Sequence, residues 1–228
     1  MHFLSDILDL IFPHVCCTCG ERITKEDELI CFGCRAELPK VKFSDPTDNE
    51  LTDRFLGKYS LKFGTSYLYF FKSGKTQTLM HKFKYQNKPE LGVMIGRYLG
   101  HDIAANGYSN GLDMIIPVPI HRKKLRIRGY NQSQKFASGL SEAIEIPVEV
   151  DVLIRTIHGE SQTHKSKEER QRSVSEVFQL REPNRVAGKS ILLVDDVITT
   201  GATLEACGKL LLNAGCAELS IATMAIAK

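Results

Sequence analysis

Residues 191–203 read Ile191-Leu-Leu-Val-Asp-Asp-Val-Ile-Thr-Thr-Gly-Ala-Thr203. An unbroken aliphatic run suits a strand covered on both faces, as in parallel sheets. It ends on two acids, Asp195 and Asp196. A turn of hydroxyls and glycine follows, and a helical pattern opens at Ala202. Ligands of open α/β sheets bind beyond the carboxyl ends of the strands, which is where this turn falls. A helix start offers unpaired N–H groups and a positive dipole end, and Gly201 lets the backbone approach an anion closely. Thr199, Thr200 and Thr203 add hydroxyl donors, and the two carboxylates can accept from vicinal sugar hydroxyls. An anion at one end and a diol at the other outline a ribose 5-phosphate.

The same grammar extends outward from this stretch. Strands are predicted over 66–71, 114–118, 148–154, 190–194 and 219–225, and helices over 133–144 and 202–214. Residues 75–105 carry helical periodicity interrupted near Lys88-Pro89. Continuous apolar strands alternating with helices predict a mostly parallel α/β sheet flanked by helices. The polar, turn-rich stretch 42–53 reads as a linker. A second anion contact is expected after the strand at 114–118. Residues 114–141 contain no acid and six Lys or Arg, five of them between 122 and 128. His121, Arg122, Lys123, Lys124, Arg126 and Arg128 are therefore read as a basic loop that binds pyrophosphate, although a single-stranded nucleic acid could use the same charges.

At the other end of the chain, Cys16 and Cys19 form one C-x-x-C, and Cys31 and Cys34 another. Two such knuckles supply four thiolates at the spacing of a structural zinc site. A closed four-sulfur site leaves no position for substrate, so its role is to fold a short segment. Gly20 and Gly33 stand where each knuckle would turn with positive φ. Cys17 is a spare thiol that replaces Cys16 if the register differs by one. Cys207 and Cys216 read as small core residues.

Composition narrows the class. The 228 residues carry 30 Lys plus Arg against 27 Asp plus Glu, and 43% are hydrophobic. That is a globular balance, only mildly basic, so a nucleic-acid role would rest on local clustering. No apolar run approaches the ~20 residues of a spanning helix. In residues 1–12, Leu4, Ile7, Leu8 and Ile11 recur at helical spacing. Without a basic face they predict a helix docked on the protein, neither a leader nor a membrane anchor. A cytoplasmic protein is expected.

The 191–203 segment resembles the phosphoribosyl-pyrophosphate (PRPP) signature of type I phosphoribosyltransferases: strand, two acids, short spacer, Thr-Thr-Gly-x-Thr. Together with the paired knuckles followed by Leu38-Pro39, the stretches Pro117-Val-Pro-Ile-His-Arg122 and Arg128-Gly-Tyr-Asn-Gln132 resemble the ComF family. Residues 162–174, before Val177-Phe178, resemble that family's mobile segment, with Gln162, Lys165 and Arg170 facing the site. The resemblance implies a type I phosphoribosyltransferase fold over 51–228 behind a zinc module and linker over 1–50. It also implies PRPP with magnesium, a role in handling single-stranded DNA during natural transformation, and a competence helicase as partner. In the resembling transferases, which are pentosyl-transferring glycosyltransferases, a nucleophile displaces pyrophosphate at the anomeric carbon. Asp195 and Asp196 would then serve as the catalytic acids, and Thr199, Thr200, Gly201, Ala202 and Thr203 would grip the 5-phosphate. No residue pattern identifies an acceptor. A magnesium-dependent transferase of some other nitrogen acceptor, a DNA-holding module and a PRPP-responsive regulator all remain open readings.

Overall fold

The structure is a computed structural model that describes residues 13–24, 28–156 and 177–228. The amphipathic segment 1–12 and the stretch 162–174 lie outside these described residues. The cysteine segment comes first, with a short helix α1 (Phe32–Ala36), and leads through a 3-10 turn (Thr52–Phe55) into β1 (Gly64–Phe70). Helices α2 (Lys75–Tyr85) and α3 (Glu90–Ala105) follow, then β2 (Met114–Pro117), α4 (Arg122–Arg128) and α5 (Gln132–Ile144). A hairpin pairs β3 (Leu153–Arg155) with β4 (Phe178–Leu180). After it come β5 (Ser190–Ile198), α6 (Ala202–Asn213) and β6 (Glu218–Ala227).

Among the described residues, four strands form one sheet in the order β1-β6-β5-β2, and every pairing is parallel. Both faces of the sheet are covered, and alternate residues of β5 supply two cores. Leu192 and Val194 pack with Ile95, Leu99, Phe136 and Leu140 from α3 and α5. Ile191 and Leu193 pack with Leu204, Cys207 and Leu211 from α6. Burial on both faces is the physical reason the run 191–194 has no polar alternation. Cys207 and Cys216 are buried core thiols, as their surroundings in sequence suggest.

Helices α3 and α5 touch backbone to backbone. A Cβ on Gly96 would lie 2.2 Å from the Phe136 carbonyl oxygen, and one on Gly139 would lie 1.9 Å from that of Val93. This close crossing sets where the first turn of α5 stands over the end of β5.

Three expectations need correction. The strand predicted over 148–154 is split: Val148 makes an isolated parallel bridge to Ile115, and only Leu153–Arg155 forms a strand, antiparallel to β4. Glu149 still donates its backbone N–H to the Ile115 carbonyl, while the Glu149 and Asp151 side chains pair with Arg185, the latter at 3.0 Å. Gly33 sits inside α1 without a positive φ; Gly20, at φ 80°, does make its turn. The basic stretch after β2 is a helix, not a loop. His121 caps it by accepting the Lys123 N–H at 3.1 Å, and Gly129 closes it in the left-handed region at φ 79°. The stretch read as a linker is ordered by its own turns: Asp45 accepts from Thr47 and Asn49 from Leu51, both through backbone N–H.

Candidate functional site

Strand β5 carries Asp195 and Asp196 to the carboxyl end of the sheet, and its pairing with β6 runs on to Ile198. Thr199 and Thr200 are exposed there. Gly201 then turns at φ 84° as the N-cap of α6, where an added Cβ would stand 3.4 Å from the Phe55 ring. The Thr200 Oγ1 accepts the Ala202 N–H at 3.4 Å. Asp195 and residues 197–204 line a small concavity of about 40 Å³. First-turn N–H groups have no intrahelical acceptors, so they and the dipole give this concavity a preference for an anion.

The two acids are held differently. Asp195 accepts the Ser133 hydroxyl at 2.8 Å and the Asp196 N–H at 2.8 Å. Burial raises its pKa well above the usual carboxylate range, and the adjacent Asp196 charge adds to this; the Ser133 hydrogen bond works against it. Asp196 pairs instead with the Lys84 ammonium at 2.9 Å, and its Oδ1 accepts the Val197 N–H at 2.7 Å. One acid is thus desolvated, with its pKa raised, while its neighbour faces a cation. Such separation within a pair is typical of functional carboxylates.

Residues 128–132 bracket this site. Asn131 caps α5 by accepting the Ser133 N–H at 3.1 Å, and its amide donates to the Val118 carbonyl at 3.0 Å. The end of β2 and the start of α5 are thereby tied together, which aims Ser133 at Asp195. Tyr130 is buried and donates to the Phe83 carbonyl, fixing the end of α2 and with it Lys84. Arg128 donates to Gln132 Oε1 at 2.8 Å. The structure therefore joins the 195–203 turn, Ser133, Lys84 and the C-terminal end of α4 on one edge. His121, Arg122, Lys123, Lys124 and Arg126 lie on or just before α4, none of whose residues is buried. Gln162, Lys165 and Arg170 lie outside the described residues.

Ser133 and Lys84 were not foreseen in the sequence. Ser133 stands one residue past the quoted Arg128–Gln132 stretch, and an N-cap asparagine two residues ahead is its only local signal. Lys84 has none, because its partner lies 112 positions along the chain. Arg54 was missed as well; it donates to the Ala227 carbonyl at 2.9 Å on the flank of the Gly201 turn.

The four cysteines form a second centre. The sulfurs of Cys16, Cys19, Cys31 and Cys34 all lie within 4.8 Å of one another, so Cys16, rather than Cys17, completes the set. Tetrahedral Zn–S bonds of about 2.3 Å would place sulfurs about 3.8 Å apart, so this donor set fits zinc. Thr18 and Cys31 each point a backbone N–H at the Cys16 sulfur at 3.4 Å. Burial opposes ionisation of Cys16, but the backbone N–H groups of Cys19, Cys31 and Thr18 carry its pKa down to about 6; burial among neighbouring thiols pushes Cys34 up to about 12. The cluster is seated on the transferase-like part of the chain. Lys75 reaches Glu37 at 2.6 Å and Cys34 Sγ at 3.5 Å, and Cys16, Cys17, Ile30 and Cys34 share a core with Leu79 and Phe83. Among the described residues, no helix is long and apolar enough to cross a membrane.

Comparison with known proteins follows this geometry. Residues 131–228 match the phosphoribosyl transferase domain family. The chain is 33% identical over 147 residues to competence protein F of Haemophilus influenzae, covering 63% of this chain and 64% of that one. It is 30% identical over 146 residues to DNA utilization protein YhgH of Escherichia coli, 63% of each chain. The matched part thus spans just under two thirds of these relatives. Against competence protein ComFC of Bacillus subtilis it is 26% identical over 206 residues, 85% of this chain and 82% of that one. Among solved structures, PRPP amidotransferase from B. subtilis matches at 23% identity and a TM-score of 0.44 over 63% of this chain and 30% of that one. A hypoxanthine phosphoribosyltransferase from Staphylococcus aureus matches at 19% and 0.39, over 63% and 69%. An acid pair and a glycine turn at the carboxyl edge of a parallel sheet, a four-cysteine segment ahead of them, the matched phosphoribosyl transferase domain and the competence-named relatives together support a ComF-family phosphoribosyltransferase-like protein.

Proposed function

We propose that this protein binds PRPP with magnesium at the 195–203 turn and acts on single-stranded DNA during natural transformation. The observation that carries the first half is the meeting of an anion-seeking helix start with two adjacent carboxylates, one desolvated and bonded to Ser133 and the other paired with Lys84. Thr199 to Thr203 and the first N–H groups of α6 would hold the 5-phosphate. Asp196 would accept from the ribose hydroxyls, and both acids would stabilise positive charge developing at the anomeric carbon, the electrostatic share of catalysis that is usually largest. Magnesium would neutralise the pyrophosphate, held mainly through its oxygens and water. Ser133 would keep Asp195 aimed, and Lys84 would hold the Asp196 carboxylate in position. The four-cysteine segment would be folded by zinc.

The competence half is supported by the competence proteins among the relatives and by the cations of α4 at the rim of the same site. The test is isothermal titration of the zinc-loaded protein with PRPP and magnesium, followed by anisotropy of a labelled single-stranded oligonucleotide with and without PRPP. Saturable heat and DNA binding that PRPP alters are expected. No heat would sink the PRPP assignment, and no DNA binding at moderate salt would sink the DNA role.

A further inference from the structure

Helix α4 has no structural reason to be apolar on any face, since it buries none of its seven residues. Yet Ile127 is 76% exposed and Leu125 is 40% exposed, among five cations. Beside its C-terminal end stands Tyr85, the last residue of α2, 59% exposed. The Arg128 guanidinium covers the Tyr85 ring at 5.4 Å from its centroid, and His81, one turn earlier, flanks it at 5.2 Å and 45°. Exposed apolar side chains and a flat aromatic ring set among cations match a ligand that carries both phosphates and base faces. Tyr85 directly follows Lys84, whose ammonium pairs with Asp196, so the ring stands at the rim of the acid site.

We infer that Tyr85, flanked by His81 and backed by Arg128, is a stacking platform for an unpaired base of a single-stranded DNA whose phosphates run along α4. This deepens, and rests on, the DNA role proposed above. The chemistry selects a single strand: a cationic track that follows a backbone, next to an aromatic face for successive bases, is how such strands are held without sequence preference. A duplex keeps its bases stacked on one another and leaves none for the ring. Arg128 holds the tyrosine in place by a cation–π contact and is itself held by Gln132, so the platform is already formed in the unbound protein. Leu125 and Ile127 offer apolar contact to sugar and base edges between the phosphate contacts.

The experiment uses the full zinc-loaded chain and three labelled probes: a short oligothymidine, an abasic oligomer of equal length, and a duplex. Tyr85→Ala should weaken oligothymidine binding about tenfold and leave the abasic oligomer unchanged, since each stacked base contributes about 1–3 kcal/mol. Tyr85→Phe should bind oligothymidine like the wild type. Arg126→Ala should weaken both single-stranded probes by a common factor, because phosphates are the same in each. An equal loss of both probes in Tyr85→Ala, no loss at all, or equally tight binding of the duplex would overturn the platform while the DNA role stands. Failure of the wild type to bind any probe would remove the DNA role and the platform with it.

Discussion

Helices α4 and α6 both start at the carboxyl edge of the same parallel sheet, one after β2 and the other after β5, yet they are held by opposite means. Helix α6 buries Leu204, Cys207 and Leu211 in the core beneath it. Helix α4 buries nothing and is held by its caps, His121 and Gly129, and by the contact of Arg128 with Tyr85. The difference assigns labour. A helix whose N-terminus must present N–H groups at a fixed point is anchored in the core, whereas a helix that offers charge along its length needs only to keep its shape. The two acids repeat the contrast on a smaller scale: Asp195 is desolvated and neutral-leaning, and Asp196 is matched to a cation.

The comparison can be broken at several points. The largest effect is expected from Asp196→Asn, which removes the carboxylate proposed to meet the ribose hydroxyls and should lower PRPP-dependent turnover by about 10²–10³-fold. Pyrophosphate release beside a thermal melt would check it, and full turnover would end the catalytic assignment. In α6, Leu204→Ala should cost about 3 kcal/mol in urea unfolding, because its site is packed from both the helix and β5. A cost near zero would mean that α6 is not anchored as its burial indicates.

The acid contrast gives a stability test with a sign. Asp195 has a folded pKa raised above its unfolded value, so its ionisation works against folding. Stability is greatest below the unfolded pKa and falls as pH rises through the folded one. Asp195→Asn keeps an acceptor for the Ser133 hydroxyl and should stabilise the protein by about 1–2 kcal/mol at pH 8, with the gain vanishing near pH 4. Melting curves across that range would show it, and a gain that grows toward acid would reverse the claim. The smallest effect belongs to α4. Ile127→Ala should change stability by less than about 0.5 kcal/mol. A larger loss in the same urea series would reveal a packing role for α4 that its exposure denies.

How much of this was legible follows the same division. The strand 191–194, the acid pair and the 199–203 turn could be read directly, because a buried parallel strand and a glycine turn each leave a local mark. So did the paired cysteines, whose ligand spacing is itself a sequence pattern. Helix α4 was read as a loop because a helix with no buried face leaves no apolar period to detect. The run 148–154 reads as one strand because its alternation is continuous, and nothing local marks that its pairing passes from β2 at Val148 to β4 at Leu153.

The amino-acid sequence by itself therefore determined the parallel α/β class, the place of the glycine turn after β5, the position of the two acids at the strand's end and the four clustered thiols. All of these are short-range consequences of residue type and spacing. Only the tertiary structure decided which groups face those acids. Ser133 reaches Asp195 because α3 and α5 cross so closely at Gly96 and Gly139 that no side chain fits between them. Lys84 reaches Asp196 because Tyr130 pins the end of α2. Both contacts depend on backbone approaches between segments far apart in the chain, and no local pattern of residues encodes such a distance.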